Sequence, residues 1–235
     1  MTNQFISAFP DIRNENLAAF TNTKAALIHS IPDLKKFLDT KYSWIKGIHY
    51  LQQIHSISSI EVHDQGKGMT CYPDQDALFT MDPNQGLVIQ TADCLPIFLY
   101  HPSSSLIGLV HAGWRGVYAG ILSEILTTIK NKYQPDLSSM KVSIGPSIRK
   151  CCFEVGNDVK DLFQSRYENI TGLIDNSHID LQSVIQFQCR QFHIPDSNMF
   201  TSSECTMCHG EKYHSFRRNG KKSGRLYSVI ARQKY

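Results

Sequence analysis

Hydrophobic positions along this chain fall into short continuous runs in its middle and into helical spacings after them. Leu95 to Tyr100 and Leu106 to Val110 are apolar runs on either side of a His-Pro-Ser-Ser-Ser turn signal, the pattern of a hairpin of buried strands. Val117, Ile121, Leu122, Ile125, Leu126 and Ile129 then recur at intervals of three and four, which predicts a single amphipathic helix from Gly116 to Tyr133 packed on a sheet. The same spacing at Leu181, Val184, Ile185, Cys189 and Phe192 predicts a second helix over Asp180 to His193, with Asp180 as its N-cap and Pro195 beyond its end.

The remaining pattern is weaker. Leu17 to Ile28 fits either a short helix or a strand, and Ile31-Pro32-Asp33-Leu34 opens a helical turn with Leu34, Phe37 and Leu38 inward. Loose alternation from Ile45 to Val62 suggests two short strands joined near Gln52-Gln53, with His55 in this region. Gln65 to Asp76, rich in Gly, Lys, Pro and Asp, reads as a surface loop before a strand at Ala77 to Met81. Further on come a strand at Val142 to Ile144, a helix after Gly156 running through Phe163, and a last strand at Leu226 to Ala231. No internal repeat or low-complexity segment interrupts the chain.

Composition narrows the picture. With 235 residues, 41% of them hydrophobic, the chain can bury a sizeable core and reads as one domain over 1–235. Its 24 basic and 21 acidic residues are dispersed, without a basic block or an aromatic-interleaved basic stripe, so nucleic acid is not an indicated partner. Met1 to Pro10 lacks the basic start and apolar core of a signal peptide, and no stretch reaches the roughly 20 apolar residues that span a bilayer. The expectation is a soluble, cytoplasmic protein with no membrane partner. Seven cysteines, an odd number, then read as reduced thiols, some buried and some ligands, rather than a disulfide framework.

Candidate chemistry centres on the predicted hairpin. If its strands are antiparallel neighbours, Cys94 at the start of the first lies beside His111 at the end of the second, and His55 supplies a second imidazole from a separate segment. One thiolate and two imidazoles with a fourth position open are the donor set of a catalytic zinc, although each residue alone also fits a buried thiol or an ordinary core or surface histidine. Asp93 could act in proton transfer, orient a ligand, or cap a turn. Gly113, Arg115 and Gly116 fall at the predicted helix start, where unpaired N–H groups and a guanidinium could hold an anion such as phosphate, or where the glycines form a plain turn. Cys205 and Cys208 have the spacing of half a zinc ribbon, with His209 or His214 as possible further ligands and idle thiols as the alternative; the vicinal Cys151-Cys152 pair does not supply the other half on spacing grounds. Ten histidines without a single His-X-His give blue-copper chemistry little support.

Several of these motifs, in this order, resemble one family. Thr91-Ala92-Asp93-Cys94-Leu95-Pro96, His111-Ala112-Gly113-Trp114-Arg115-Gly116, Ile144-Gly145-Pro146-Ser147-Ile148 and Cys151-Cys152-Phe153-Glu154-Val155-Gly156 are similar to the YfiH-type family, as is the tail Ser215-Phe216-Arg217-Arg218-Asn219-Gly220. That family was long labelled a polyphenol oxidase/laccase domain and was later assigned as purine nucleoside phosphorylases. The resemblance implies an α+β single domain of two packed mixed β-sheets covered by helices, a four-layer α/β/β/α arrangement. It also implies Zn2+ on His55, Cys94 and His111, with phosphorolysis of adenosine, inosine and S-methyl-5'-thioadenosine and a side activity of adenosine deamination. Within that reading Arg115 and Asp93 are the catalytic candidates beyond the metal, and the partners are purine nucleosides and phosphate. Ser56 departs from the family, which often has Gly there. The alternative is a cysteine hydrolase or amidase, with Cys94 as nucleophile and His111 as base, acting on cell-wall precursors among other amides.

Overall fold

The structure is a computed structural model that describes residues 4–12 and 16–234. Its strands are β1 (Phe5–Ser7), β2 (Leu17–Asn22), β3 (Gly47–Gln52), β4 (Ser59–Glu61), β5 (Gly68–Pro73), β6 (Ala77–Thr80) and β7 (Gln85–Thr91). They continue with β8 (Leu95–Tyr100), β9 (Ile107–Ala112), β10 (Lys141–Ile144), β11 (Ile174–Asp175), β12 (His178–Ile179), β13 (Met199–Thr201) and β14 (Leu226–Arg232). The helices are α1 (Ile31–Lys41), α2 (Trp114–Ala119), α3 (Ile121–Tyr133), α4 (Asn157–Arg166), α5 (Leu181–Gln191) and α6 (Phe216–Asn219).

Two mixed six-stranded sheets face each other, one ordered β1-β2-β14-β7-β3-β5 and the other β13-β10-β8-β9-β6-β4. Alternation along the strands makes three apolar layers out of two sheets. Along β8, Phe98 and Tyr100 join Leu87, Ile89 and Ile230 between the sheets, while Leu95, Ile97 and Leu99 face the opposite way. That opposite face packs against Ile121, Leu122, Ile125 and Leu126 of α3 and Val184, Ile185 and Cys189 of α5. Val88, Val229 and Ala231, on the outer face of the first sheet, pack with Leu34 and Leu38 of α1. The four-layer α/β/β/α expectation therefore holds, and the buried strands need no polar face because both faces are covered. No helix among the described residues is long and apolar enough to cross a membrane.

Three local expectations change. The helix foreseen from Gly116 to Tyr133 is two helices, α2 and α3, broken where Gly120 takes the left-handed region at φ 93°. Val117 and Ile121 keep a helical interval across the break, so the spacing carried no sign of it. The loop foreseen from Gln65 to Asp76 contains β5, an edge strand pairing in parallel with β3, whose largely exposed side chains leave no apolar alternation to read. The two strands expected within Ile45–Val62 exist as β3 and β4, but they lie in different sheets, so the segment between them crosses from one sheet to the other. Leu17 to Asn22 resolves as strand β2. Asp180 caps α5 as expected, its carboxylate accepting from the N–H groups of Gln182 and Ser183.

Candidate metal centre

The crossing segment carries His55. Gln53 docks it on β7 by donating to the Gln90 carbonyl and accepting from the Gln90 N–H, both at 2.8 Å. His55 itself sits at φ 63°, in the left-handed region that a non-glycine residue occupies only when held there. The holding group is Asp76, fully buried just before β6. Its carboxylate accepts from the backbone N–H of Ile54 at 3.3 Å, His55 at 3.0 Å and Ser56 at 2.6 Å, and from the Ser56 hydroxyl at 2.8 Å. Four donors converging on two oxygens compensate the cost of burying the charge and fix the loop.

The hairpin delivers the other two donors as the sequence predicts. β8 and β9 are antiparallel with Leu95 opposite Ala112 and Pro96 opposite His111, so Cys94 and His111 meet at one edge. His111 Nδ1 lies 2.7 Å from Asp76 Oδ1, and the His111 N–H donates to the Asp76 carbonyl at 2.7 Å. With Nδ1 taken, Nε2 is the nitrogen left for a ligand. His55 Nε2 is 3.8 Å from Cys94 Sγ, the two imidazoles stand at 78° with centroids 4.9 Å apart, and one ligand atom from each of the three residues lies within 4.8 Å of the others.

Gly113 makes that approach possible. A Cβ at this position would stand 2.6 Å from His55 Cδ2 and 3.4 Å from Cys94 Sγ. The glycine is therefore required by the space the trio occupies.

Charges within the group are strongly coupled. Burial alone would raise the Cys94 thiol, but hydrogen bonding and charge from His111 and His55 outweigh it and bring the pKa down to about 6. Burial likewise opposes charging of His111, yet Asp76 and Cys94 raise it to about 9. Asp76, despite its burial, is held down at about 2 by His111 and Ser56. Without a metal the thiol and imidazole thus share one proton as thiolate and imidazolium, and a soft divalent cation would displace that proton from His111. Two imidazoles and a thiolate fit zinc, and with His111 buried and His55 exposed the group is closed on one side and open on the other.

The open side faces a cavity of about 640 Å³. Besides the trio, its walls carry the rings of Trp114, Phe153 and Phe216 and the guanidinium groups of Arg115, Arg217 and Arg225. Arg115 lies over the Trp114 ring at 4.3 Å, at the start of α2. Asp93, at φ 91°, lines the cavity with both carboxylate oxygens occupied: Thr206 Oγ1 donates at 2.6 Å, Ser215 Oγ at 3.0 Å and the Arg217 N–H at 2.6 Å. It ties the residue before Cys94 to α6, which carries Phe216 and Arg217.

The residue that sequence reading does not reveal is Asp76, at the end of the stretch from Gln65 that reads as a surface loop. Its single signal was an acid immediately before an apolar strand, and that signal is shared by many capping residues. Among the described residues one other group of metal-ligating side chains occurs, formed by Cys151, Cys152, Cys205 and Cys208.

The family model described as multi-copper polyphenol oxidoreductase laccase matches residues 24–233. A purine nucleoside phosphorylase of Clostridium acetobutylicum is 32% identical over 191 residues, which is 80% of this chain and 78% of that protein. The purine nucleoside phosphorylase YlmD of Geobacillus stearothermophilus is 30% identical over 194 residues, covering 77% of this chain and 71% of the relative. The crystal structure of YlmD from Geobacillus stearothermophilus superposes with a TM-score of 0.84 at 25% identity, over 94% of this chain and 93% of that one. The hypothetical protein YfiH of Bacillus licheniformis shares the fold at a TM-score of 0.84 and 24% identity, over 98% and 100% of the two chains.

Proposed function

The chain belongs to the multi-copper polyphenol oxidoreductase laccase family, the YfiH group, and from that membership and the site geometry we propose that it is a zinc-dependent purine nucleoside phosphorylase. The observation that carries this reading is one thiol and two imidazoles converging on the open side of a cavity walled by both aromatic rings and guanidinium groups. The phosphorylase names of relatives at 30% and 32% identity support the reaction class. Adenosine, inosine and S-methyl-5'-thioadenosine are the substrates, with adenosine deamination as a side activity.

His55, Cys94 and His111 would hold the zinc. When bound there, the ion supplies Lewis acidity and lowers the pKa of a water molecule from about 15.7 toward 7, the chemistry that deamination needs. Phosphorolysis makes different demands on the protein: phosphate must be held beside C1′ of the sugar while the departing purine takes up a proton. Arg115 holds the phosphate, with Arg217 and Arg225 as further cations on the same cavity. Trp114, Phe153 and Phe216 offer faces for a purine ring. Asp76 orients His111 and the His55 loop. Asp93, with three donors on its carboxylate, acts as the positioning group that sets Cys94 against the start of α6.

The test is the zinc content of the purified protein together with chromatography of adenosine incubated with and without phosphate. Bound zinc and adenine that appears only when phosphate is present is the expected result; adenine formation that ignores phosphate would reject phosphorolysis. The line Asp76–His111–Cys94 also fits a second reading, a cysteine hydrolase or amidase, because an oriented imidazole beside a thiol is how such a nucleophile is activated. That reading expects covalent capture of an amide or ester substrate on Cys94 in metal-free protein, and inhibition when zinc is restored.

A further inference from the structure

Cys205 and Cys208, spaced as half of a four-sulfur site, are met in the structure by the other half. Ser147 and Cys205 form a parallel bridge, and the Thr206 N–H donates to the Ser147 carbonyl at 3.1 Å. This pairing draws the segment after β10 alongside the turn at 205–208 and brings Cys151 and Cys152 onto it. Cys152 Sγ lies 3.4 Å from Cys208 Sγ, Cys151 Sγ lies 3.8 Å from it, and all four sulfurs are within 4.8 Å of one another. Neither His209 nor His214 is part of the group.

These separations match a metal rather than a disulfide. A disulfide places its sulfurs about 2.05 Å apart, whereas all seven cysteines here are free thiols. Four Zn–S bonds of about 2.3 Å directed to the corners of a tetrahedron set the sulfurs about 3.8 Å apart, because a tetrahedral edge is about 1.63 times its centre-to-corner length. The Cys151–Cys208 separation of 3.8 Å falls at that value, and the Cys152–Cys208 separation of 3.4 Å lies somewhat below it. The backbone agrees independently: the Arg149 N–H donates to Cys205 Sγ at 3.4 Å. A backbone donor on the sulfur is the kind of support that ligating thiolates receive.

We propose that Cys151, Cys152, Cys205 and Cys208 hold a structural zinc ion. All four coordination positions are filled by protein, so this ion takes no substrate. Its role is to fasten one wall of the cavity. Arg217 Nη1 donates to the Cys152 carbonyl at 3.2 Å, and its guanidinium lies 5.6 Å from the centre of the Phe153 ring; both side chains line the cavity. The segment that supplies Cys151 and Cys152 continues into Phe153, and the 205–208 turn is held to α6, which carries Phe216 and Arg217, by Arg218 Nη1 donating to the carbonyls of Thr206 at 2.9 Å and Met207 at 2.8 Å.

Two measurements on the full chain test this site separately from the proposed catalytic one. First, Cys94→Ala protein should retain one equivalent of zinc, which a Cys151→Ser/Cys208→Ser double substitution on the same background removes. Second, alkylation of unmutated protein, mapped by mass spectrometry, should modify Cys151, Cys152 and Cys208 about tenfold or more slowly than exposed Cys71, with the difference abolished by a chelator. Purified Cys94→Ala protein without zinc, modification of Cys151 and Cys208 at the Cys71 rate before chelation, or disulfide-linked peptides among the four would each overturn the proposal.

Discussion

The His55–Cys94–His111 group and the four-cysteine group use similar donors, yet they are built to opposite ends. The first draws its ligands from a sheet-to-sheet crossing, a strand start and a strand end, and supports them with a buried ionised carboxylate. The second draws its ligands from two neighbouring turns and supports one sulfur with a backbone N–H. Three protein donors beside a cavity leave room for a reacting molecule, whereas four close the sphere. The support behind the ligands and the number of ligands together separate a site for chemistry from a fastening.

Cys94→Ala separates the two groups most sharply. Adenosine turnover should be lost entirely while the zinc on the four cysteines remains; zinc-free protein, measured by elemental analysis, would remove the four-cysteine ion and the comparison with it. Asp76→Asn keeps the shape but removes the charge behind His111, and zinc affinity at the trio should fall about 10–100-fold. Competition with a chromophoric chelator reads that change, and equal weakening at both ions would break the distinction. Gly113→Ala forces a methyl group to within 2.6 Å of His55 Cδ2, for an expected stability cost of about 1–3 kcal/mol in a thermal melt, accompanied by weaker zinc binding at the trio only. An unchanged melt with unchanged zinc affinity would mean that the His55 loop moves freely, contrary to its hold on Asp76. Arg115→Ala is the mildest: the KM for phosphate should rise about tenfold through loss of one charge-assisted contact, with deamination spared. Equal loss of both activities would assign Arg115 to the shared framework instead of the phosphate.

How much of this was legible in the sequence depended on whether a feature leaves a local trace. The β8–β9 hairpin and α5 with its Asp180 cap were readable because burial on a fixed period is written directly into residue order. Adjacency of Cys94 and His111 followed from the hairpin alone, and the motifs around them identified the family. The break at Gly120 left the apolar interval intact, and exposed β5 had no apolar face to announce it. Asp76 acts through contacts with residues 54–56 and 111, which no local window connects. The four cysteines were invisible as a unit for the same reason: half of the set is a vicinal pair, and tertiary contacts such as the bridge from Ser147 to Cys205 bring it to the other half.

The position of β14 bears on how the protein comes to be made. Leu226–Arg232 occupies the interior of the first sheet, between β2 and β7, and the Thr21 hydroxyl bonds that of Ser228 at 2.8 Å across 207 positions of sequence. During synthesis, His55, Cys94 and His111 all leave the ribosome well before β14 does, while β7, which leads into Cys94, waits with an open edge. Such long-range pairing forms slowly and exposes intermediates to misassembly. Metal donors are therefore produced early and their cradle late, so nascent chains present the ligands before the protein can select the ion.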